Sequence, residues 1–594
     1  IGHLIREAQQ GAVLAATDFQ LQLIAVPANE KKAVELLRTI PEKPPLGALR
    51  LQEPSARGAR VEAEAKPLAS RQQVEAVLRR PAFPSASALN GEQLLAVQRG
   101  LQRPFSTVQG PPGTGKTSFL VSLIASTLSL ELHSQMKHRE PPRLLVLAPS
   151  NHAVDEIVRR LVRDTEIPGH YVTRIYSRSI ENTHGDSFKG SPQLRHDVFD
   201  VKPDVVEHAL HQKASQVCYD SSKKNLYEQA ELRVLRSSRV VVTTVTNSYL
   251  HTALNKVTMW NGKMSHVQHP IKFTSVIVDE AAQASEPDVV LSFMSAGYRV
   301  VVVGDHKQLG PVIPERNLCT SYVSALETPF LERMLQKPQR HSANTLLNVQ
   351  YRMHPSIRRF PSIQFYDSKL RDSVSMPHRP ELCCLWPQRD EHVLFVDCQT
   401  PQTFGAGDKS PDGVENKVSL KNVGEAKLVL EACTQLLEAG CSPKDIAIIT
   451  PYTAQQQEIR TRLAKRPDSR NILVGTVHAL QGSEREYIII SFVRSFVQDE
   501  YDIHSADSSG MILSTDKQSK ALRDICSCKL GILSNNRLLN VSLTRARYGL
   551  VCIGNRSVLS NGSRDFFDYT QGLAERGCVV DRLNAKGTAK RRGG

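Results

Sequence analysis

The chain has 594 residues, more than one ordinary domain uses and enough for about two to four. Apolar residues make up 40% and charged residues 23%, so each unit can bury a core and general disorder is excluded. Lys and Arg outnumber Asp and Glu by 75 to 60, a formal charge of +15, which suits a polyanionic partner because phosphate contacts supply most non-specific nucleic-acid affinity. A generally basic protein without such a partner has the same composition. Eleven Cys are thinly spread, with Cys383 and Cys384 adjacent and Cys526 and Cys528 one residue apart. No paired CxxC knuckles occur, so neither structural zinc nor a disulfide framework is expected, and the compartment reads as reducing, nucleus or cytosol. No apolar run approaches the ~20 residues of a membrane span. The chain opens on Ile1 with no secretory signal pattern, and reads as a segment of a longer protein.

In chain order, residues 1–87 come first. Ala-rich and charged helical stretches there break at Pro41, Pro44, Pro45, Pro81 and Pro84, as an accessory segment would. Residues 88–335 follow as a first α/β domain, with short β-branched runs at Leu144–Leu147, Val240–Val242, Val276–Val278 and Arg299–Val303. Residues 336–570 carry a second set, Ile446–Ile449, Tyr487–Ile490 and Leu550–Ile553. Continuous apolar runs of this kind are strands covered on both faces, so two mostly parallel sheets are expected. Polar insertions are expected at about 178–235, helical in its later half, and at about 496–535. Residues 571–594 read as a loose basic tail.

Gly110, Pro111, Pro112, Gly113, Thr114, Gly115, Lys116 and Thr117 fit the phosphate-loop pattern GxxxxGK[ST]. The loop follows an apolar stretch ending at Val108 and precedes a helical pattern over Ser118–Leu130. That context is what the chemistry needs, since backbone N–H groups at a helix start close around phosphates. Lys116 would reach the β and γ phosphates and Thr117 would hold Mg²⁺. A glycine turn without ligand is the bland reading, and the strand–loop–helix setting argues against it.

Phosphoryl transfer also needs a metal-ordering acid, a group that orients the attacking water, and cations that meet developing charge. Ser275–Val278 runs apolar into Asp279 and Glu280, at the strand edge where α/β sheets bind ligands. Asp279 would order the Mg²⁺ and Glu280 the nucleophilic water. A further strand runs into Gly304, Asp305, His306, Lys307 and Gln308, where Gln308 could sense a γ-phosphate.

In this order the segments resemble superfamily 1 helicases, closest to the up-frameshift RNA helicase group, over about residues 88–560. Leu89, Asn90 and Gln93 look like the Q motif, which implies that Gln93 reads the adenine edge. Pro149, Ser150 and Asn151, within Ala148–Asp155, and Thr243, Thr244 and Asn247 resemble backbone-tracking segments. Gln350, Tyr351 and Arg352 resemble motif IV, with Arg352 against the γ-phosphate and Tyr351 beside adenine. Thr450, Pro451 and Tyr452 form the next segment. Thr476 and His478, with Gln481 to Glu484, look like motif V, which touches nucleic acid and nucleotide. Asn540–Arg547 resembles motif VI, with Arg545 as a second arginine at the phosphates. The resemblance implies two tandem RecA-like domains hydrolysing ATP in the cleft between them. It also implies 5′→3′ movement on single-stranded nucleic acid, with RNA favoured over DNA.

Physical logic points the same way, since Arg352 and Arg545 lie hundreds of residues from Lys116 and come from another lobe. The two insertions look more like the helicase-with-zinc-finger branch of the group than the up-frameshift helicase itself. Residues 1–87 occupy the place where relatives carry a stalk and small β-barrel, a likeness their own sequence does not establish. Two other functions fit the motifs. One is an RNA-stimulated ATPase that remodels protein–RNA complexes without unwinding. The other is a transcriptional co-regulator or scaffold with an incidental ATP site.

Overall fold

Helices α1 (Arg71–Leu78) and α2 (Gly91–Gln102) precede the first strand. Asn90 starts α2 through a capping box, its side chain accepting from the Gln93 N–H while Gln93 answers on the Asn90 N–H. There follow β1 (Phe105–Gln109), α3 (Lys116–His133), β2 (Leu144–Ala148), α4 (Asn151–Asp164) and β3 (Val172–Ile175). Two helices, α5 (Leu210–Val217) and α6 (Lys224–Ser237), lead into β4 (Val240–Thr244) and α7 (Val245–Leu250). After a hairpin of β5 (Val257–Trp260) and β6 (Lys263–His266) come β7 (Phe273–Val278), α8 (Glu286–Ser292), β8 (Ala296–Gly304), α9 (Phe330–Leu335) and β9 (Asn344–Leu346). This is a computed structural model that describes residues 68–78, 89–133, 142–177, 203–218, 224–250, 254, 257–260, 263–266, 271–293, 296–313, 326–336, 344–374, 385–388, 390–405, 419–480, 482–496 and 530–583.

Seven strands form one sheet in the order β3-β4-β2-β7-β8-β1-β9, every neighbour parallel. Strand β2 is apolar throughout and β7 and β8 end in apolar runs, because both faces of the sheet are covered. Leu144, Val146 and Ala148 of β2 pack into one core, and Leu145 and Leu147 into the other. The expected boundary at 335 is corrected here. Strand β9 pairs with β1, so this unit runs to Asn348. The accessory segment is corrected too, since Val74 and Val77 of α1 are buried in the same core as Phe119 and Leu123 of α3. Residues 1–67 of that segment lie outside the described residues, as does 178–202 of the first insertion. The later half of that insertion is helical, as expected.

The second unit comprises Lys307–Leu309 and Val349 onward. It runs β10 (Val349–Gln350), α10 (Pro355–Tyr366), β11 (Arg371–Asp372), β12 (Val393–Asp397), β13 (Thr403–Gly405), β14 (Ser419–Lys421), α11 (Val423–Glu438) and β15 (Ile446–Ile449). Then come α12 (Thr453–Leu463), β16 (Leu473–Gly475), β17 (Arg485–Ser491), α13 (Asn536–Leu543), β18 (Ala546–Gly554), α14 (Arg556–Gly562), α15 (Arg564–Glu575) and β19 (Val579–Val580). Six parallel strands order as β16-β15-β17-β18-β12-β19. Ile488 and Ile490 of β17 face one core, Tyr487 and Ile489 the other. Residues 571–583 are not tail, because α15 runs through Glu575 and β19 pairs with β12. Residues 584–594, and 497–529 of the second insertion, lie outside the described residues. Among the described residues no helix is long and apolar enough to cross a membrane.

Candidate nucleotide site and nucleic-acid edges

In the first unit, parallel strands end on one edge, and the chemistry-bearing residues follow those ends. Strand β1 runs into the loop 110–115, whose Gly113 and Gly115 adopt φ of 75° and 70°. Side chains rarely tolerate that conformation, which is why glycine stands at these turns. A Cβ at Gly110 would meet the Lys116 Cδ at 2.9 Å, so the third glycine keeps room for the lysine itself. Thr114 holds the loop's curl by donating from its hydroxyl to the Pro111 carbonyl, 2.7 Å.

Gln93 is buried directly behind this loop. Its Nε2 donates to the Thr114 carbonyl at 2.9 Å, while its Oε1 accepts from the Asn90 N–H at 3.0 Å. Both ends of the amide thus join the α2 start to the loop.

Lys116 is half-buried and donates to Glu280 Oε1 at 2.5 Å. Burial alone would lower its ammonium, but the charges of Glu280, Asp279 and Asp305 outweigh that and raise it. Asp279, which is buried, ends β7. Burial pushes its carboxyl up to about 6 against the pull of Lys116, with the Glu280 charge adding to the rise. Glu280 sits at φ 48°, ψ 32°, a left-handed turn unusual for a non-glycine residue. Gln283 donates to its second oxygen at 3.0 Å, so the carboxylate is held from both sides. Asp305 accepts from Gln109 Nε2 at 3.2 Å. One lysine thus stands among three acids. With the half-buried Thr117 at the start of α3, Asp279 offers oxygen of the hard type that Mg²⁺ takes, while among the described residues no group of three or more His, Cys, Asp or Glu side chains is placed to hold a metal ion by itself.

The other strands of this sheet end in the segments read as nucleic-acid contacts. Pro149, Ser150 and Asn151 follow β2, and the Ser150 hydroxyl caps α4 by accepting from Ala153 N–H. Thr243 is fully buried and donates its hydroxyl to the Ile175 carbonyl at 2.8 Å, so it braces β4 against β3 and leaves Thr244 as the half-buried threonine. Asn247 lies on α7, largely buried.

In the second unit the arginines gather around one carboxylate. Arg352 Nε pairs with Glu484, and its Nη1 donates to the Thr544 carbonyl at 3.2 Å. Arg547 reaches Glu484 at 3.5 Å and Glu486 at 3.2 Å. Burial would raise the Glu484 carboxyl, but Arg352, Arg547 and Arg545 more than offset it and hold it low. Arg545 is buried, donating to the Val541 carbonyl and to Gln308 Oε1, each at 3.1 Å. Lys307–Leu309 accordingly packs with this unit, and Asn540 Nδ2 donates to the Lys307 carbonyl at 2.8 Å. Tyr351 is half-buried beside Arg352. Pro451 follows β15, Thr476 follows β16, and His478 is exposed two residues on. Gln481 lies outside the described residues.

One support was missing from the sequence reading. Glu425, fully buried at the start of α11, accepts from the Ser491 hydroxyl at 2.7 Å and the Val493 N–H at 2.8 Å. Val493 takes φ 71°, a strained geometry for a β-branched residue, just past β17. An acid near a helix start reads as an ordinary capping residue, so nothing in the sequence marks this one.

Two parallel-sheet units, one carrying a phosphate loop with its acid pair, define a P-loop NTPase built of tandem RecA-like domains. Two family models, each described as an AAA domain, match the chain, one over residues 88–202 and 200–316 and the other over 326–557. A regulator of nonsense transcripts 1 homolog from Neurospora crassa is 31% identical over 80% of this chain and 38% of its own length. The DNA polymerase alpha-associated DNA helicase A of Schizosaccharomyces pombe is 30% identical over 83% of this chain and 67% of its own. The chain belongs to the superfamily 1 helicases, in their up-frameshift-like group. It spans less than half the length of the regulator-of-nonsense-transcripts relatives it matches. The solved PRRSV helicase superposes with a TM-score of 0.31 at 14% identity, covering 83% of this chain and 58% of that one, too loosely to add to the argument.

Proposed function

We propose that the chain is an ATP-dependent helicase or translocase that moves 5′→3′ along single-stranded RNA. The observation that carries this is the division of charge. Lys116 with Asp279 and Glu280 stands in one unit, and Arg352 with Arg545 in the other. Hydrolysis then draws on both units, and a step that needs two bodies can be coupled to their movement.

ATP phosphates take over from Glu280 as the partner of Lys116 in the loop 110–115. Glu280 is then available to orient the attacking water and accept its proton. Thr117 and Asp279 would hold Mg²⁺, which would supply positive charge to offset the triphosphate. Arg352 and Arg545 stabilise charge on the transferring group, and Gln308, bonded to Arg545, senses the γ-phosphate. Glu484 keeps Arg352 in place. Tyr351 flanks the base, while Gln93 serves the nucleotide through the loop it braces.

The nucleic acid lies along the strand ends, at Pro149, Ser150, Asn151, Thr244 and Asn247 in the first unit, with Thr243 as support. Pro451, Thr476 and His478 serve in the second. These groups suit phosphate and sugar rather than base edges, so binding is sequence-tolerant and salt-sensitive. Such a motor works where RNA is, in nucleus or cytosol.

The test is the ATPase rate with matched single-stranded RNA and DNA at two salt concentrations, beside strand displacement. Stimulation by RNA above DNA, with displacement from a 5′ overhang, is expected. Equal stimulation removes the RNA preference. Stimulation without displacement makes the chain a remodelling ATPase, and no stimulation by either polymer overturns the motor.

A further inference from the structure

Arg174, on β3, is with Arg299 one of the two largest fully buried side chains among the described residues, and both are cations. Its Nε donates to Asp155 Oδ1 at 2.8 Å and its Nη1 to the Ile175 carbonyl at 2.5 Å. The guanidinium lies 3.9 Å from the centre of the Tyr176 ring, and the Tyr176 hydroxyl donates to the same Asp155 oxygen at 3.3 Å. Its remaining arm, Nη2, donates to Asn151 Oδ1 at 2.8 Å. A buried ion pair contributes little net stability against an apolar replacement of similar volume, so stability alone does not account for this residue.

The arm to Asn151 does more. A guanidinium has donors only, so the amide facing it must present oxygen. That fixes which way round the Asn151 amide stands. Its Nδ2, with two N–H donors, points away from Arg174 on a side chain that is otherwise exposed. A free asparagine could offer a backbone phosphate either its oxygen, which repels, or its NH₂, which binds. Here only the NH₂ is available.

We propose that Arg174 is a positioning residue for nucleic-acid binding: it locks the Asn151 amide so that only hydrogen-bond donors face the phosphate backbone. This rests on the reading above that Asn151 lies on the nucleic-acid path. Arg174 itself touches no nucleic acid. Asp155 and the Tyr176 ring hold the guanidinium, which holds the amide.

The test is fluorescence anisotropy with a labelled oligouridine and a matched oligothymidine, on the whole chain, with melting temperature measured beside it. N151A removes the donors, and a hydrogen bond to a charged group lost in this way weakens binding by about tenfold. N151D keeps an oxygen toward Arg174 and adds charge to that contact. Its melting temperature is expected to hold or rise while binding falls at least as far as in N151A. R174Q is expected to weaken binding several-fold in the wild-type background and to have no further effect in N151A. That dependence on background is what a merely structural Arg174 would not give.

Wild-type-like binding by N151D, or an equal loss from R174Q with and without N151A, overturns the proposal while leaving the nucleic-acid reading in place. A wild-type chain that binds neither probe overturns both. Should R174Q fail to fold, N151A and N151D still decide whether the oriented amide binds.

Discussion

The strand ends of the two units carry opposite electrostatic problems. In the first, Lys116 is outnumbered by Asp279, Glu280 and Asp305, and burial has already pushed Asp279 up to about 6. In the second, Glu484 is outnumbered by Arg352, Arg545 and Arg547, and its carboxyl is held low. An acid-rich edge suits a metal-bound triphosphate, and an arginine-rich edge suits the charge that develops on a transferring phosphoryl group. The proposed function draws on this contrast, with nucleotide held at the first edge and its hydrolysis made conditional by the second.

The sharpest way to break that contrast is to remove a cation from the second unit alone. Arg545→Ala is expected to lower the nucleic-acid-stimulated turnover by about 10³-fold while leaving ATP affinity within a few-fold, because a trans-acting arginine serves the transition state. Phosphate release and equilibrium binding of a labelled nucleotide check the two halves. A loss confined to binding would move Arg545 out of the hydrolytic role.

Glu280→Gln tests the first edge. It removes the carboxylate that both neutralises Lys116 and is assigned to the water, so turnover should fall by about 10²-fold or more. Binding of ATP should persist or tighten, since the phosphates no longer compete with Glu280 for Lys116. A Glu280→Gln chain that turned over ATP at the wild-type rate would remove the acid pair from the mechanism.

Motifs that lie within a few residues of one another were legible in the sequence on both edges. The phosphate loop and the Asp279–Glu280 pair are contiguous, because glycines, lysine and hydroxyl must follow one another around a phosphate, and their setting between β1 and α3 came out as expected. The tandem parallel sheets were legible as well, through continuous apolar strands such as β2 and β8. Supports that join distant residues were not. Gln93 meets Thr114 21 residues away, and Glu425 meets Val493 68 residues away. No local pattern encodes either pair. The boundary at 335 failed for another reason: β9 is three residues at a sheet edge, too short to show a period.

Gln93 offers a smaller effect that separates two readings of the first edge. If it braces the loop through Thr114, Gln93→Ala should raise the KM for ATP and for GTP by a similar few-fold, with less change in kcat. If it reads adenine, discrimination between the two nucleotides should collapse instead. Paired kinetics with both nucleotides decide this.

The smallest effect concerns Glu425, whose burial pushes its carboxyl up to about 8 despite bonds from Ser491 and the Val493 and Phe492 main chain. In the unfolded chain a glutamate titrates near 4.3, so between that value and about 8 the folded protein binds the extra proton. Stability contributed by the neutral acid is fully present below the unfolded value and is lost as pH rises through the folded one. Within that window the loss runs at up to about 1.4 kcal/mol per pH unit. Glu425→Gln stays neutral throughout, so its melting temperature relative to wild type should climb by several degrees between pH 6 and pH 8.5, scaled by about 2–4 °C per kcal/mol. A difference independent of pH would mean that the carboxylate is already charged in the fold. The strained Val493 turn would then be anchored by an ion, and the edge of β17 would share the charge problem of the first unit.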